Sequence, residues 1–154
     1  MSRAEAPLFV YGTLRDDAWR RAILGADYPG TPATLAGWRC IGTSSGYLTI
    51  RRTLPRLDVA RIEGVLVVLD PVGWEVADAW EEARYERIEV SVSTMAGALD
   101  AIVYVCAEDD DATPVDDGRL ALLSDAHVEA AISSFESTMR AIRDRSRPPA
   151  PGSR

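Results

Sequence analysis

Apolar residues along the chain recur at intervals that switch between strand spacing and helix spacing. Residues 7 to 11 hold the unbroken run Leu8, Phe9, Val10 and Tyr11, which reads as a buried strand and stops at Gly12. Asp16 or Asp17 then caps a short helix carrying Ala18, Ala22, Ile23 and Leu24, and Gly25 ends it. Two further strands are expected, from Ala33 to Cys40 and from Arg61 to Leu69. The second is rich in β-branched residues, and its Gly64 signals a bulge or a close backbone approach.

Asp70 followed by Pro71 is a strong helix opening, with the aspartate as cap and the proline in the first helical position. The helix should carry Val72, Val76, Ala79 and Trp80, which sets Glu81 at or near its C-terminal end. Residues 85 to 94 alternate, with Ile88, Val90 and Val92 on one face, and after a turn near Ala96 and Gly97 a strand from Leu99 to Cys106 should pair back. Glu108 to Gly118 is acidic, contains proline and reads as a surface loop. Asp125 then caps an amphipathic helix with Val128, Ile132, Phe135, Met139 and Ile142, expected to pack on the sheet. The proline-rich residues 144–154 should be a disordered tail, leaving one domain over residues 1–143.

Composition narrows the function classes. A chain of 154 residues buries roughly 70% of its unfolded surface, so its core needs neither metal nor disulfide. No apolar run approaches the ~20 residues of a membrane span, and the N-terminus lacks the layout of a signal peptide, so a cytoplasmic protein with no membrane partner is expected. The net charge of −7 opposes nucleic-acid binding, which needs a clustered positive surface. All 17 basic residues are arginine, which removes Schiff-base and P-loop lysine chemistry and, with the abundant alanine, points to a GC-rich bacterial genome. Cys40 and Cys106 are expected to be buried thiols, and His127 has no ligand-type neighbour in sequence, so no metal or other cofactor is expected.

Two segments carry candidate chemistry. The strand ending at Tyr11 runs into the turn Gly12-Thr13-Leu14, whose backbone N–H groups can hold a small ligand, glycine letting that ligand approach closely. The block from Asp78 to Arg87 sets a carboxylate, Glu81, one turn before Tyr85 and the strand that Arg87 opens. Together with Glu63-Gly64-Val65-Leu66, these residues resemble the γ-glutamylcyclotransferase-like family, which includes the AIG2-like proteins, over roughly residues 7 to 106.

That resemblance implies an α+β fold, a small mixed β-barrel with flanking helices, whose cavity is floored by the turn and faced by one glutamate. It implies release of 5-oxoproline and a free amine from a γ-glutamyl amide, by attack of the substrate's own α-amine. The catalytic glutamate then matches Glu81, and the substrate-binding residues match Tyr11, Gly12, Thr13, Leu14 and Tyr85. Trp80 stands where the family often has Tyr or Phe. Glu82 stands where it often has Gly, so either glutamate is a candidate base, and counting four back from Tyr85 favours Glu81.

The chemistry suits these residue types. An α-amine titrates near ~8 and needs a base before it attacks a carbonyl, and a partly desolvated carboxylate, its pKa raised, answers that need. The turn N–H groups suit either the developing oxyanion or the substrate α-carboxylate. Each residue also has a plainer reading. Tyr11 also reads as a core aromatic, Gly12 as a turn residue, Glu81 as a solvated helix end, Tyr85 as wall packing and Arg87 as the partner of a carboxylate or a rim residue, while Tyr47 is a further candidate for lining the cavity. His127 matches no serine triad. The alternative function is a non-catalytic small-ligand-binding or interaction module, which a filled barrel favours, whereas a cavity with a single carboxylate near the turn favours chemistry.

Overall fold

The computed structural model describes residues 6–42, 48–52, 60–81, 85–106, 113–114 and 125–147. Strands β1 (Leu8–Val10), β5 (Arg61–Val67), β2 (Gly30–Ala36), β6 (Tyr85–Thr94) and β7 (Gly97–Cys106) form a closed barrel in that order. Its pairs are antiparallel except at the seam, where β1 runs parallel to β7 with Leu8 opposite Ile102. A second, three-stranded sheet has the order β4 (Leu48–Arg52), β3 (Trp38–Gly42), β8 (Thr113–Pro114). Three helices complete the fold: α1 (Asp17–Leu24), α2 (Pro71–Glu81) and α3 (Asp125–Ser146).

Strand alternation divides the apolar residues between two cores. Phe9, Leu35, Ile62, Leu66, Val90, Val92, Ala101 and Val103 cluster in one, with Ile88 packed against it. Leu8, Val10, Val67, Ile102 and Tyr104 point the other way, into a core shared with Ile23, Leu24, Trp74, Val76 and Ile142 of the helices. Each fully buried Leu, Ile or Phe contributes roughly 1.5–3 kcal/mol, so both cores are needed for a stable chain. Gly64 is a close approach: a Cβ there would meet the Val10 carbonyl oxygen and the Phe9 ring.

The helix ends follow local chemistry. The Asp16 side chain accepts the Trp19 N–H at 2.9 Å, and Gly25 closes α1 with φ of 75°. Asp70 accepts the Gly73 N–H at 2.7 Å and so caps α2 ahead of Pro71.

Several expectations need correction. The single strand expected over 33–40 is two strands in two sheets, because Gly37 takes φ of 81° and turns the chain between β2 and β3. Strand β4 was not expected, and the predicted acidic loop contains β8, which pairs with β3 through Ile41 opposite Pro114. Helix α3 makes its main contacts with α1 and α2, not with the sheet, because its apolar stripe joins the outer core. It also stays helical through Ser146. Tyr47, Glu82, most of the acidic loop and residues 148–154 lie outside the described residues.

Candidate active site

The strand registers bring the sequence-predicted residues to one end of the barrel. Tyr85 stands opposite Cys106 where β6 begins and β7 ends, far from the hairpin turn at the other end, where Thr94 faces Gly97. Strand β1 is parallel to β7, so it too ends there and delivers Tyr11 and then Gly12. Glu81, half-buried, is the last residue of α2.

Tyr11 is buried, and its hydroxyl donates to the Tyr104 carbonyl at 2.7 Å. The Thr49 hydroxyl hydrogen-bonds to the Tyr11 oxygen, and the Thr49 Oγ1 also accepts the Cys106 N–H at 2.8 Å. Thr49, itself 1% exposed, thus ties the second sheet to the barrel beside the candidate site. Burial first, and then the Glu81 carboxylate, raise the Tyr11 phenol well above its ordinary pKa. Tyr85 and Cys40 act on it in the same direction. Glu81, Tyr85 and Tyr11 are therefore electrostatic neighbours, although Tyr85 packs against the outer, helix-side core.

After Gly12 the chain makes a short 3-10 turn over Thr13–Arg15, closed by an Arg15 N–H to Gly12 carbonyl bond of 3.0 Å. A Cβ added at Gly12 would meet no described atom within 4 Å, so the backbone there faces open space. Leu14 buries its side chain in the outer core and offers only its main chain to a ligand.

Arg20, which no motif singles out, braces this turn. It is 3% exposed, and its guanidinium donates to the carbonyls of Leu14 at 3.0 Å, Arg15 at 3.2 Å and Tyr28 at 2.8 Å, with Asp17 as its carboxylate partner. An arginine in a short amphipathic helix reads as solvent-facing, and carbonyls left over by a turn carry no sequence signature. Thr49 and Tyr104 were missed as well, since Thr49 accepts a main-chain N–H and Tyr104 offers its main-chain carbonyl to Tyr11, both across long stretches of sequence.

Arg87 pairs with a carboxylate, Asp78, through its Nε at 2.8 Å and a second guanidinium nitrogen. The Tyr104 hydroxyl donates to the same carboxylate at 2.5 Å. Burial first, and then this bond, push the Tyr104 phenol far above its usual range. The barrel interior itself is not a cavity at the level of Phe9, Leu35, Ile62, Val92 and Val103, each at most 1% exposed. At the barrel end no described atom crowds the backbone of Gly12. Cys40 and Cys106 form no disulfide, Cys40 being buried and Cys106 half-buried. Among the described residues no helix is long and apolar enough to cross a membrane.

Comparison with known proteins agrees with this architecture. No curated protein matches the sequence significantly. Among solved structures, an Arabidopsis thaliana protein is similar at 21% identity and a TM-score of 0.62, covering 97% of this chain and 98% of that one. An uncharacterized Homo sapiens protein is similar at 14% identity and 0.61, covering 98% and 92%. A structure titled gamma-glutamyl cyclotransferase is similar at 13% identity and 0.59, covering 97% and 92%. At these identities the likeness establishes the fold. The sequence model of the family described as gamma-glutamyl cyclotransferase, AIG2-like matches residues 8–122, which span the barrel, the glycine turn and the helix bearing Glu81, and the chain belongs to that family.

Proposed function

We propose that the protein is a cofactor-independent γ-glutamylcyclotransferase that converts a γ-glutamyl amide into 5-oxoproline and a free amine. What carries this reading is a half-buried carboxylate, Glu81, within electrostatic reach of Tyr11 at the barrel end where Gly12 borders open space. The substrate α-amine titrates near ~8 and arrives mostly protonated. Glu81 takes that proton. The freed amine adds to the γ-carbonyl carbon, forming the N–C bond of a five-membered lactam and moving the carbonyl electron pair onto oxygen. Collapse of this oxyanion breaks the original C–N bond; the leaving nitrogen takes the proton back from Glu81, and the surplus proton of the ring nitrogen then passes through the same carboxylate to the released amine, which departs as an ammonium ion. Atoms balance without water.

The turn N–H groups of Gly12, Thr13 and Leu14 hold the substrate's anionic end, the α-carboxylate or the oxyanion. Tyr11 is not the acid in this scheme, because its one proton is committed to the Tyr104 carbonyl. Its oxygen serves as a fixed acceptor, and Tyr85 serves as wall. Glu81 must therefore act as both base and acid. The test is 5-oxoproline release from a panel of γ-glutamyl amino acids, γ-glutamyl amines and glutathione, followed by mass spectrometry. Glu81→Gln should lower turnover by about 10²–10⁴-fold with the fold intact; near-normal turnover would overturn the assignment.

The filled barrel interior favours a second reading, a module that binds a small γ-glutamyl or carboxylate ligand at the same end without turning it over. Saturable binding with no 5-oxoproline from any panel member would select it.

A further inference from the structure

Asp78 lies one helical turn before Glu81 on α2, so roughly 5–6 Å separates their Cβ atoms. Its two partners come from the barrel wall. Arg87 on β6 and Tyr104 on β7 stand directly opposite each other in the register, which places their side chains on one face of the hairpin. That face looks toward α2, and both side chains reach the same carboxylate. The Arg87 guanidinium also stacks over the Trp74 ring, 4.3 Å from its centroid, one turn before Asp78. The Tyr104 phenol feels Asp78, Arg87 and Glu81, so the four groups form one cluster.

We infer that the Asp78–Arg87 pair is a positioning device for Glu81, pinning the last turn of α2 to the barrel while presenting two opposite charges that nearly cancel at the Glu81 carboxylate. The catalytic meaning of this rests on Glu81 being the base; the electrostatics do not. Glu81 acts electrostatically on Tyr11 at the end of β1 and on Tyr104 on β7, and Asp78 lies one turn before it on the same helix. On the far side α3 meets α2 through Phe135 on Trp80 and Arg145 on Glu75. Phenols stay neutral below pH 9, so within this cluster Asp78 and Arg87 are the charged neighbours of Glu81 across the range in which a carboxyl titrates.

Removing one member exposes the other. In Asp78→Asn the Arg87 cation is uncompensated, favours the carboxylate form of Glu81 and lowers its pKa. In Arg87→Met the Asp78 anion is uncompensated and raises it. At about 7 Å, with an effective dielectric constant of about 40–80 for this half-exposed pair, each shift is roughly 0.4–0.9 pH unit. The double variant returns close to wild type.

The experiment is a pH titration of carboxyl-labelled Glu81 by NMR in the full chain, the resonance assigned by its loss in Glu81→Gln, for wild type, both single variants and the double. Opposite shifts that cancel in the double variant and shrink in about 1 M salt support the inference. Shifts of the same sign, or none in either single variant, overturn it. Circular dichroism identifies a variant that fails to fold, and the other single variant then decides by its sign. Because the titration needs no turnover, it stands apart from the activity assay: an inactive protein with opposite shifts refutes the proposed reaction and leaves the ion-pair inference intact.

Discussion

Gly64→Ala tests how closely the barrel packs beneath the site. A Cβ at Gly64 would sit against the Val10 carbonyl oxygen, and at 2.7 and 2.9 Å from two atoms of the Phe9 ring. Neither neighbour yields easily. The carbonyl belongs to β1, held between β5 and β7, and Phe9 is 1% exposed among Leu35, Ile62 and Val103. Overpacking of this kind costs roughly 1–3 kcal/mol, at the upper end when main chain must move. Replacing glycine inside a strand returns about 0.5–1 kcal/mol of backbone entropy. The net expectation is a loss of about 2 kcal/mol, or roughly 4–8 °C in Tm for a chain of this size. Urea unfolding followed by circular dichroism measures it as a lowered midpoint at unchanged slope. Gly12→Ala is the matched control, since its Cβ would enter open space and should change stability by less than about 0.5 kcal/mol. If Gly64→Ala were as stable as Gly12→Ala, the close approach of β1 to β5 would be wrong.

Two further outcomes are expected. Arg20→Met keeps most of the side-chain volume but strands the Leu14 and Tyr28 carbonyls, so it should cost about 2–4 kcal/mol by urea unfolding and raise KM for any γ-glutamyl substrate more than it lowers kcat. A variant with wild-type stability and KM would remove Arg20 from the support of the turn. For Asp70, burial pushes the carboxyl up, but the bonds it accepts from the Tyr28 hydroxyl and the Gly73 N–H outweigh burial and hold it below the usual value of 3.8. A depressed folded pKa adds stability above the unfolded pKa and loses it as pH falls through the folded one. Asp70→Asn should therefore be less stable than wild type at pH 7, with the gap closing as pH drops below 3.8. A gap independent of pH would show that the carboxylate charge is not what matters there.

Those elements whose cause is local were legible in the sequence. Asp16 and Asp70 cap helices because a short acceptor sits where N–H groups are unsatisfied, and the β6–β7 hairpin follows from strict alternation around a turn. What failed to show was decided by partners distant in sequence. Gly37 ends β2 because the barrel turns away from the second sheet there, and nothing near Ala33 or Cys40 announces that change. α3 carries the predicted apolar stripe, but the stripe does not say whether a sheet or two helices will receive it. Of the candidate site, Tyr11, Gly12 and Glu81 were nameable through the family resemblance that their flanking residues carry. Arg20 and Thr49 were not, because each is defined by a backbone atom it satisfies, and backbone atoms are the same at every residue.

The parallel seam between β1 and β7 has a kinetic consequence. Strand β1 has three residues, and the Tyr11–Tyr104 hydrogen bond that follows it spans 93 positions. Closing so long a loop is slow, and so short a strand has little to gain until both of its neighbours exist. The hairpin β6–β7, built from adjacent residues, should form early, and β1 should insert last, as the stave that closes the barrel. The glycine turn hangs from that stave, so no partly folded intermediate carries the turn and Glu81 together. Recovery of ligand binding during refolding should then trail hydrogen-exchange protection of the β6–β7 amides and coincide with protection at Ile102, whose N–H bonds to the Pro7 carbonyl only when the barrel is shut.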